Sequence, residues 1–393
     1  LPICTCPSYG GTIILFRNQI IDITEKPLNM NLEQKYLDAF QNNLDYFFYK
    51  AVDINLSNLR QCGFWIKTMN HQNHAAEVRQ KRLESGLPAP PVMICSITSR
   101  CNLKCRGCYA MAKGHMNGRE IPAQRFESLV REASAIGTNI ILLAGGEPLL
   151  RRDILESAGR AKETIFPVFT NGTLLDGDYI RFFKKNRNLL PVLSIEGDRQ
   201  RTDDRRGKGL YATVLSAAEV LRRSKMFYGL SLTLTQDNFD ELTDPGYLGY
   251  FHKRGCRLFF LVEYVPQTEN DMHLCISEQQ QNRLPGLLGQ LREKLPALFI
   301  CLPGEEDQYG GCLAAGRGFI HVSPTGDLEP CPFAPYSDTN IMEMPLKDAL
   351  NSVLLGRIRD SHHLLTESKG GCTLWENREW VEMQMEKPGS LRA

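Results

Sequence analysis

Three cysteines stand within eight residues, Cys101, Cys105 and Cys108, spaced C-x3-C-x2-C. Thiols this close serve either one stripe of a helix or a metal centre. Asn102 and Gly107 lie among them and are poor helix residues, which weighs against the stripe. Lys104 and Arg106 flank the thiols, and positive charge stabilises thiolates. Structural zinc takes four ligands, usually in C-x-x-C-type pairs. Ferredoxin runs supply four cysteines per cubane, at other spacings. Three thiols on a four-iron cluster leave one iron without a protein ligand, and an open iron is where a substrate or cofactor reaches metal.

Further groups with chemical potential lie downstream. Gly145-Gly146-Glu147-Pro148 follows the apolar run Asn139 to Ala144. Glycines let backbone approach a ligand closely, and a carboxylate attracts an ammonium; the plain alternative is a helix start with Glu in its first turn. Thr170-Asn171-Gly172 reads as an ordinary turn, and Ser194 and Glu196 end another apolar run. Arg201, Arg205 and Arg206 form a basic group that is either solvated or turned inward. Nearer the end, Cys312, Gly326, Cys331 and Cys372 form a second constellation. Gly311-Cys312 and Gly371-Cys372 share a context in which glycine lets a chain curl around a cluster; the alternative is a hairpin with incidental buried thiols. His321, His362 and His363 are not taken as ligands, and His362-His363 reads as a polar face.

These groups sit on an alternating pattern. Residues 1–90 carry a strand or hairpin at Gly11 to Asp22, then a mostly helical pattern in which Leu32, Tyr36, Phe40, Leu44 and Phe47-Phe48 recur at near-helical spacing. Gly86-Leu87-Pro88-Ala89-Pro90-Pro91 ends it as a stiff linker and marks a domain boundary. Strands are predicted near 92–97, 139–144, 165–170, 191–195, 228–235 and 257–264, with helices near 121–136, 151–164, 174–186, 211–224, 240–254 and 277–294. Such strand–helix units imply a parallel α/β fold, doubly wound or barrel, with active groups at the strands' carboxyl ends. Cys101, Gly145, Thr170 and Ser194 all follow or end a predicted strand. From Gly304 the alternation stops: a hairpin spans Phe319 to Cys331, a helix runs from Pro345 to Leu355, and another from Trp375 to Met385.

Composition bounds the rest. The chain has 393 residues, 42% of them hydrophobic, with 46 basic and 45 acidic side chains. A net charge of +1 gives no reason to expect nucleic-acid or membrane-surface binding. No apolar run reaches membrane-spanning length, and no basic segment followed by an apolar one is visible near Leu1, so a cytoplasmic location is expected. An odd count of 13 cysteines without such a signal favours metal or redox use over a disulfide framework. Cys95 and Cys256 read as small buried hydrophobes, and Cys4-x-Cys6 as a free end or a ligand pair.

The spacing of Cys101, Cys105 and Cys108 after a strand, with Gly145-Gly146-Glu147-Pro148 one unit later, resembles the radical S-adenosylmethionine (SAM) superfamily. The resemblance implies a partial (β/α)6 TIM-like barrel over 91–303, with a mostly helical region over 1–90 and a small α+β iron–sulfur extension over 304–393. It implies a [4Fe-4S] cluster on the three thiols and SAM beside it. In that family the Gly-Gly-Glu-Pro loop, here Gly145, Gly146, Glu147 and Pro148, receives the methionine amino group. Ser194 and Glu196 would lie near the ribose and substrate, Arg206 would meet the SAM carboxylate, and Val262 would meet the adenine. Reductive cleavage of SAM would give a 5′-deoxyadenosyl radical that abstracts hydrogen, in an oxygen-sensitive enzyme fed by a donor such as flavodoxin or ferredoxin. The Cys312…Gly326-x4-Cys331 opening resembles SPASM or twitch extensions, which bind auxiliary four-iron clusters; Cys312, Cys331 and Cys372 would hold one such cluster, its fourth site open or taken by Cys301, an amino-terminal residue or substrate. Peptide or protein modification is the first expectation, small-molecule or cofactor biosynthesis the second, and a non-enzymatic electron carrier the third. No further catalytic side chain is assigned. The chain departs from the family pattern at Gly107, where an aromatic residue usually precedes the third cysteine; here the aromatic, Tyr109, follows it.

Overall fold

The computed structural model describes residues 32–112, 119–303, 306–364 and 372–386. The expected strand at Gly11 to Asp22 and the Cys4–Cys6 pair lie outside them. Two long helices open the described chain, α1 (Leu32–Asp53) and α2 (Leu59–Glu84). Asn58 caps α2 by accepting from the Gln61 amide, and the proline-rich stretch after Gly86 leads into the first strand.

Strand and helix then alternate: β1 (Val92–Ser96), the short α3 (Tyr109–Ala112), α4 (Ala123–Ala135), β2 (Ile140–Ala144), α5 (Arg152–Arg160), β3 (Phe166–Thr170), α6 (Gly177–Lys185), β4 (Leu189–Ile195), α7 (Arg199–Arg206), α8 (Leu210–Arg223), β5 (Gly229–Leu234), α9 (Phe239–Leu242), α10 (Pro245–Lys253), β6 (Leu258–Glu263), α11 (Glu278–Lys294) and β7 (Leu298–Leu302). The chain closes with β8 (Phe319–Val322), β9 (Leu328–Glu329), α12 (Leu346–Ala349), α13 (Val353–Asp360), α14 (Thr373–Glu376) and α15 (Arg378–Glu386). All six expected strand–helix units are present. Strand β7 was not foreseen, and the single helix expected from Pro345 to Leu355 is two helices split at Ser352, whose hydroxyl accepts from the Leu355 amide and starts α13 afresh.

One sheet holds all nine strands in the order β7-β6-β5-β4-β3-β2-β1-β8-β9. Strands β1 to β7 run parallel in sequence order, with no reversal at a switch point, which separates this barrel-type winding from a doubly wound sheet. Right-handed crossovers put the connecting helices on one face. The sheet curls into an open half-barrel. Strand β8 joins the other edge of β1, parallel and with Cys95 opposite Val322, and β9 returns antiparallel to it, so the C-terminal hairpin continues the barrel sheet.

The strands alternate between two cores. Met93, Cys95, Ile141 and Leu143 pack outward against Phe126, Leu129, Ile154 and Leu155 of α4 and α5. Ile140, Leu142, Leu190, Val192, Leu258, Phe260 and Leu298 pack inward, against Phe48, Ala51 and Trp65 of α1 and α2. The amino-terminal helices therefore plug the concave side of the half-barrel. Trp65 is fully buried there, edge-on to Phe227 with ring centroids 4.9 Å apart. Truncating it opens a large cavity. Trp65→Ala is expected to lower unfolding free energy by about 3–5 kcal/mol, read as a lower urea midpoint at unchanged slope. A loss below about 1 kcal/mol would mean that the helices rest on the barrel without stabilising it.

Candidate functional site

The three thiols of the first motif follow β1 on a loop held by backbone. After Ser96 the chain stays paired to its neighbour: the Gly146 amide donates to the Thr98 carbonyl and the Glu147 amide to the Arg100 carbonyl, both at 2.8 Å. Glu120 receives the Thr98 hydroxyl at 2.7 Å and the Ser99 amide at 2.9 Å, and Arg151 pairs with it at 3.2 Å. Cys101 Sγ accepts from the Leu103 amide at 3.4 Å. Gly107 takes φ +63°, a left-handed turn that brings the chain to Cys108 at the start of α3. The Arg106 amide donates to the Arg205 carbonyl at 2.9 Å, which ties the loop to the end of α7.

Cys101, Cys105 and Cys108 open together onto a cavity of about 560 Å³. Burial pushes the Cys101 and Cys105 thiols up, and for Cys105 the strongest opposing influence is Arg206, followed at a distance by Arg205. The positive charge expected from Lys104 and Arg106 is not turned inward, since both side chains are exposed.

The glycine motif lies across from them. Gly145 has φ +114°, and a Cβ there would sit 2.4 Å from the Thr98 carbonyl oxygen; a Cβ on Gly146 would sit 2.0 Å from that of Arg100. Both glycines are required by the approach of the cysteine loop itself. Glu147 is buried, and its carboxylate accepts from the Leu149 amide (3.0 Å), the Thr170 hydroxyl (2.7 Å) and the Asn171 amide (2.9 Å). Burial raises its pKa against those three donors. Pro148 opens the short turn that follows, and Gly145, Gly146 and Glu147 all line the cavity. Asn171 reaches Asn102 at 2.9 Å, so the third loop joins the cysteine loop as well.

Ser194 and Val262 line the same cavity. Glu196 is not part of the cavity lining: it is buried, and its two oxygens hold Arg205 at 2.5 Å and Arg206 at 2.7 Å. Arg205 and Arg206 both line the cavity, whereas Arg201 turns away to Asp198 and Glu241.

The second constellation faces the same space. Cys312, Cys331 and Cys372 line the cavity, and both Cys331 and Cys372 act electrostatically on Cys312, whose thiol burial pushes well up. The Phe333 amide donates to Cys331 Sγ at 3.5 Å. Cys301 also lines the cavity, from β7. Among the described residues, no three His, Cys, Asp or Glu side chains converge to hold a single metal ion. A four-iron cluster spreads its thiolates over separate irons, so thiols that share a cavity without meeting at one point fit a cluster on either side.

Residues without a motif complete the site. Tyr109 packs edge-on to Phe333 with centroids 5.3 Å apart and hydrogen-bonds the Ser96 side chain. Ser96 Oγ lies 2.8 Å from His321 Nε2, and His321 Nδ1 lies 2.7 Å from Glu329, all buried. This polar chain runs between Cys108 and Cys331. Tyr264, just past β6, lies over Gly107. Helix α1 supplies Phe40, Leu44 and Phe47 to the cavity wall. Tyr109 directly follows the third thiol; the others carry no spacing signal, because each reaches the site from a separate part of the chain.

Gly146→Ala is expected to push the 98–100 segment off its partner and to cut reconstituted iron to under about half of the wild-type content. Iron and sulfide assays on the anaerobically loaded protein read this directly. Wild-type iron content would show that the loop can yield.

The radical SAM superfamily model matches residues 95–244. The AdoMet-dependent heme synthase of Methanosarcina barkeri is 26% identical over 324 residues, 74% of this chain and 90% of that one. The Fe-coproporphyrin III synthase of the same organism is 32% identical over 155 residues, 39% of each chain. Among solved structures, Streptococcus suis SuiB bound to precursor peptide SuiA superposes with a TM-score of 0.60 at 19% identity, over 84% of this chain and 78% of that one. Cysteine spacing, glycine loop and half-barrel agree with the family match, and residues 95–244 are similar to the radical SAM superfamily, whose enzymes pair a [4Fe-4S] cluster with SAM.

Proposed function

We propose that Cys101, Cys105 and Cys108 hold the SAM-binding cluster, that Cys312, Cys331 and Cys372 hold an auxiliary one within a 304–393 extension, and that substrate lies between them. The observation that carries this reading is the single cavity onto which both thiol groups open. The bound cluster and SAM supply hydrogen-atom abstraction, driven by an external electron donor. This chain's residues hold and orient. The backbone around Gly145, Gly146 and Glu147 offers the amino end of SAM its polar edge, and Arg206, steadied by Glu196, offers a cation to the carboxylate end. Ser194 and Val262 border the remaining space, and the apolar side chains of α1 and β6 keep water from it.

For substrate, we favour a cofactor precursor with a large flat apolar body. Phe40, Phe47, Phe169 and Phe260 wall the cavity, and the heme synthase likeness runs through most of that protein's length. A peptide is the second reading, supported by SuiB, which shares the fold and binds a precursor peptide.

After anaerobic reconstitution and reduction, the protein is expected to convert SAM to 5′-deoxyadenosine, and Cys101→Ala to give only background. No product above that control would remove the enzyme reading. With Cys101, Cys105 and Cys108 all changed to Ala, about four irons per chain should remain; none remaining would remove the auxiliary cluster. Fe-coproporphyrin III titrated into the loaded protein should shift its absorption band on binding. An unshifted band would favour the peptide.

A further inference from the structure

The cysteine loop lacks a side chain beside its third thiol, and a residue from another strand fills that place. Gly107 sits at φ +63°, and a Cβ built on it would lie 2.6 Å from Tyr264 Oη and 3.0 Å from Tyr264 Cε2. The Tyr264 ring thus occupies the space that a side chain at 107 would need. Tyr264 leaves the end of β6 with its amide bonded to the Leu234 carbonyl at 2.9 Å, so its backbone is fixed by the sheet. The ring lines the cavity between Gly107, Cys108 and Val262, and the Arg205 guanidinium stands 5.8 Å from its centroid. The residue is 3% exposed, yet its phenol oxygen has no hydrogen-bond partner among the described residues. A buried phenol without a partner costs free energy unless a ligand satisfies it.

We propose that Tyr264 is a SAM-binding residue: its ring forms the aromatic wall of the nucleoside subsite in place of a side chain at Gly107, and its hydroxyl donates a hydrogen bond to the nucleoside. A purine presents a flat π-face and ring nitrogens that accept, which matches an aromatic ring with one free donor. Gly107 and Tyr264 are then two halves of one arrangement. The glycine is small and left-handed so that the tyrosine can come in from β6.

The inference rests on the SAM-binding reading of the site, and the two are tested separately. SAM affinity is measured by equilibrium dialysis on the reconstituted, unreduced protein, with iron and sulfide counted in the same samples. Wild-type protein that holds iron but no SAM would overturn the site reading itself. Given wild-type binding, Tyr264→Phe keeps the ring against Gly107 and loses only the hydroxyl. It is expected to keep its full iron and to bind SAM about threefold to tenfold more weakly. Tyr264→Ala is expected to weaken binding by more than about tenfold. If it also loses iron, the phenylalanine variant carries the test. Tyr264→Phe with wild-type SAM affinity would overturn the proposal, and so would a changed cluster reduction potential at unchanged affinity, which would put the hydroxyl on the cluster.

Discussion

Two backbone hydrogen bonds hold this site together: Gly146 to Thr98 and Glu147 to Arg100. They extend the pairing of β1 and β2 past the ends of both strands and into the loops that carry the chemistry. The approach is close enough to exclude a Cβ at Gly145 or Gly146. Glycine is often credited with making room for a ligand; here the first demand on it is the neighbouring loop. Once the loops are paired, Glu147 has nowhere to turn but inward, where the Leu149, Thr170 and Asn171 donors meet it. Asn171 in turn holds Asn102, between the first two thiols. Loops from three successive strands are thereby locked in one polar network, and a buried network with its members satisfied specifies a single arrangement.

The charges follow the same economy. Burial makes thiolates costly at Cys101 and Cys105, and for Cys105 the compensating cations are Arg206 and Arg205 rather than the basic residues beside the cysteines. Those two arginines are themselves held by Glu196, so the net positive charge offered to the thiols is one unit, not two. Three thiolates need more than that. In a cluster held by these thiols iron would supply the remaining charge, because the binding of metal and the deprotonation of its ligands are coupled.

Much of this was readable in the chain. Alternating apolar runs and amphipathic stretches located six strand–helix units because a parallel strand buried on both faces must be apolar over about five residues. Strand β7 carries the same signal in Leu298-Phe299-Ile300-Cys301-Leu302, but only residues 295–297 separate it from the long helix α11. Motif spacing picked out Cys101, Cys105, Cys108, Gly145, Gly146 and Glu147, since those residues are local to one another. What spacing cannot reveal is which distant side chain arrives. The burial of Glu196 under two arginines, the crossing of Tyr264 to Gly107 and the line from Tyr109 through Ser96 and His321 to Glu329 depend on how the sheet curls. Lys104 and Arg106 misled for the complementary reason: adjacency in sequence does not turn a side chain inward.

The amino-terminal helices resolve a problem that a half-barrel creates. A closed barrel fills its interior with its own strand side chains; an open one leaves its concave face uncovered. Phe48, Ala51 and Trp65 cover the inner residues of β2, β4, β6 and β7, and the space left beyond them is the cavity. Helix α1 then runs along that cavity's wall and reaches the C-terminal segment, where Phe40 meets Tyr309 at 5.1 Å and Asn43 meets its hydroxyl at 2.6 Å, three residues from Cys312. The family match ends at residue 244 and begins at 95, so α1, β6 and β7 all fall outside it. The wall beside the cavity is thus built largely by segments outside the matched stretch. Selectivity therefore has to be read from α1 and the late strands, because a fold common to many chemistries carries no substrate in its motifs.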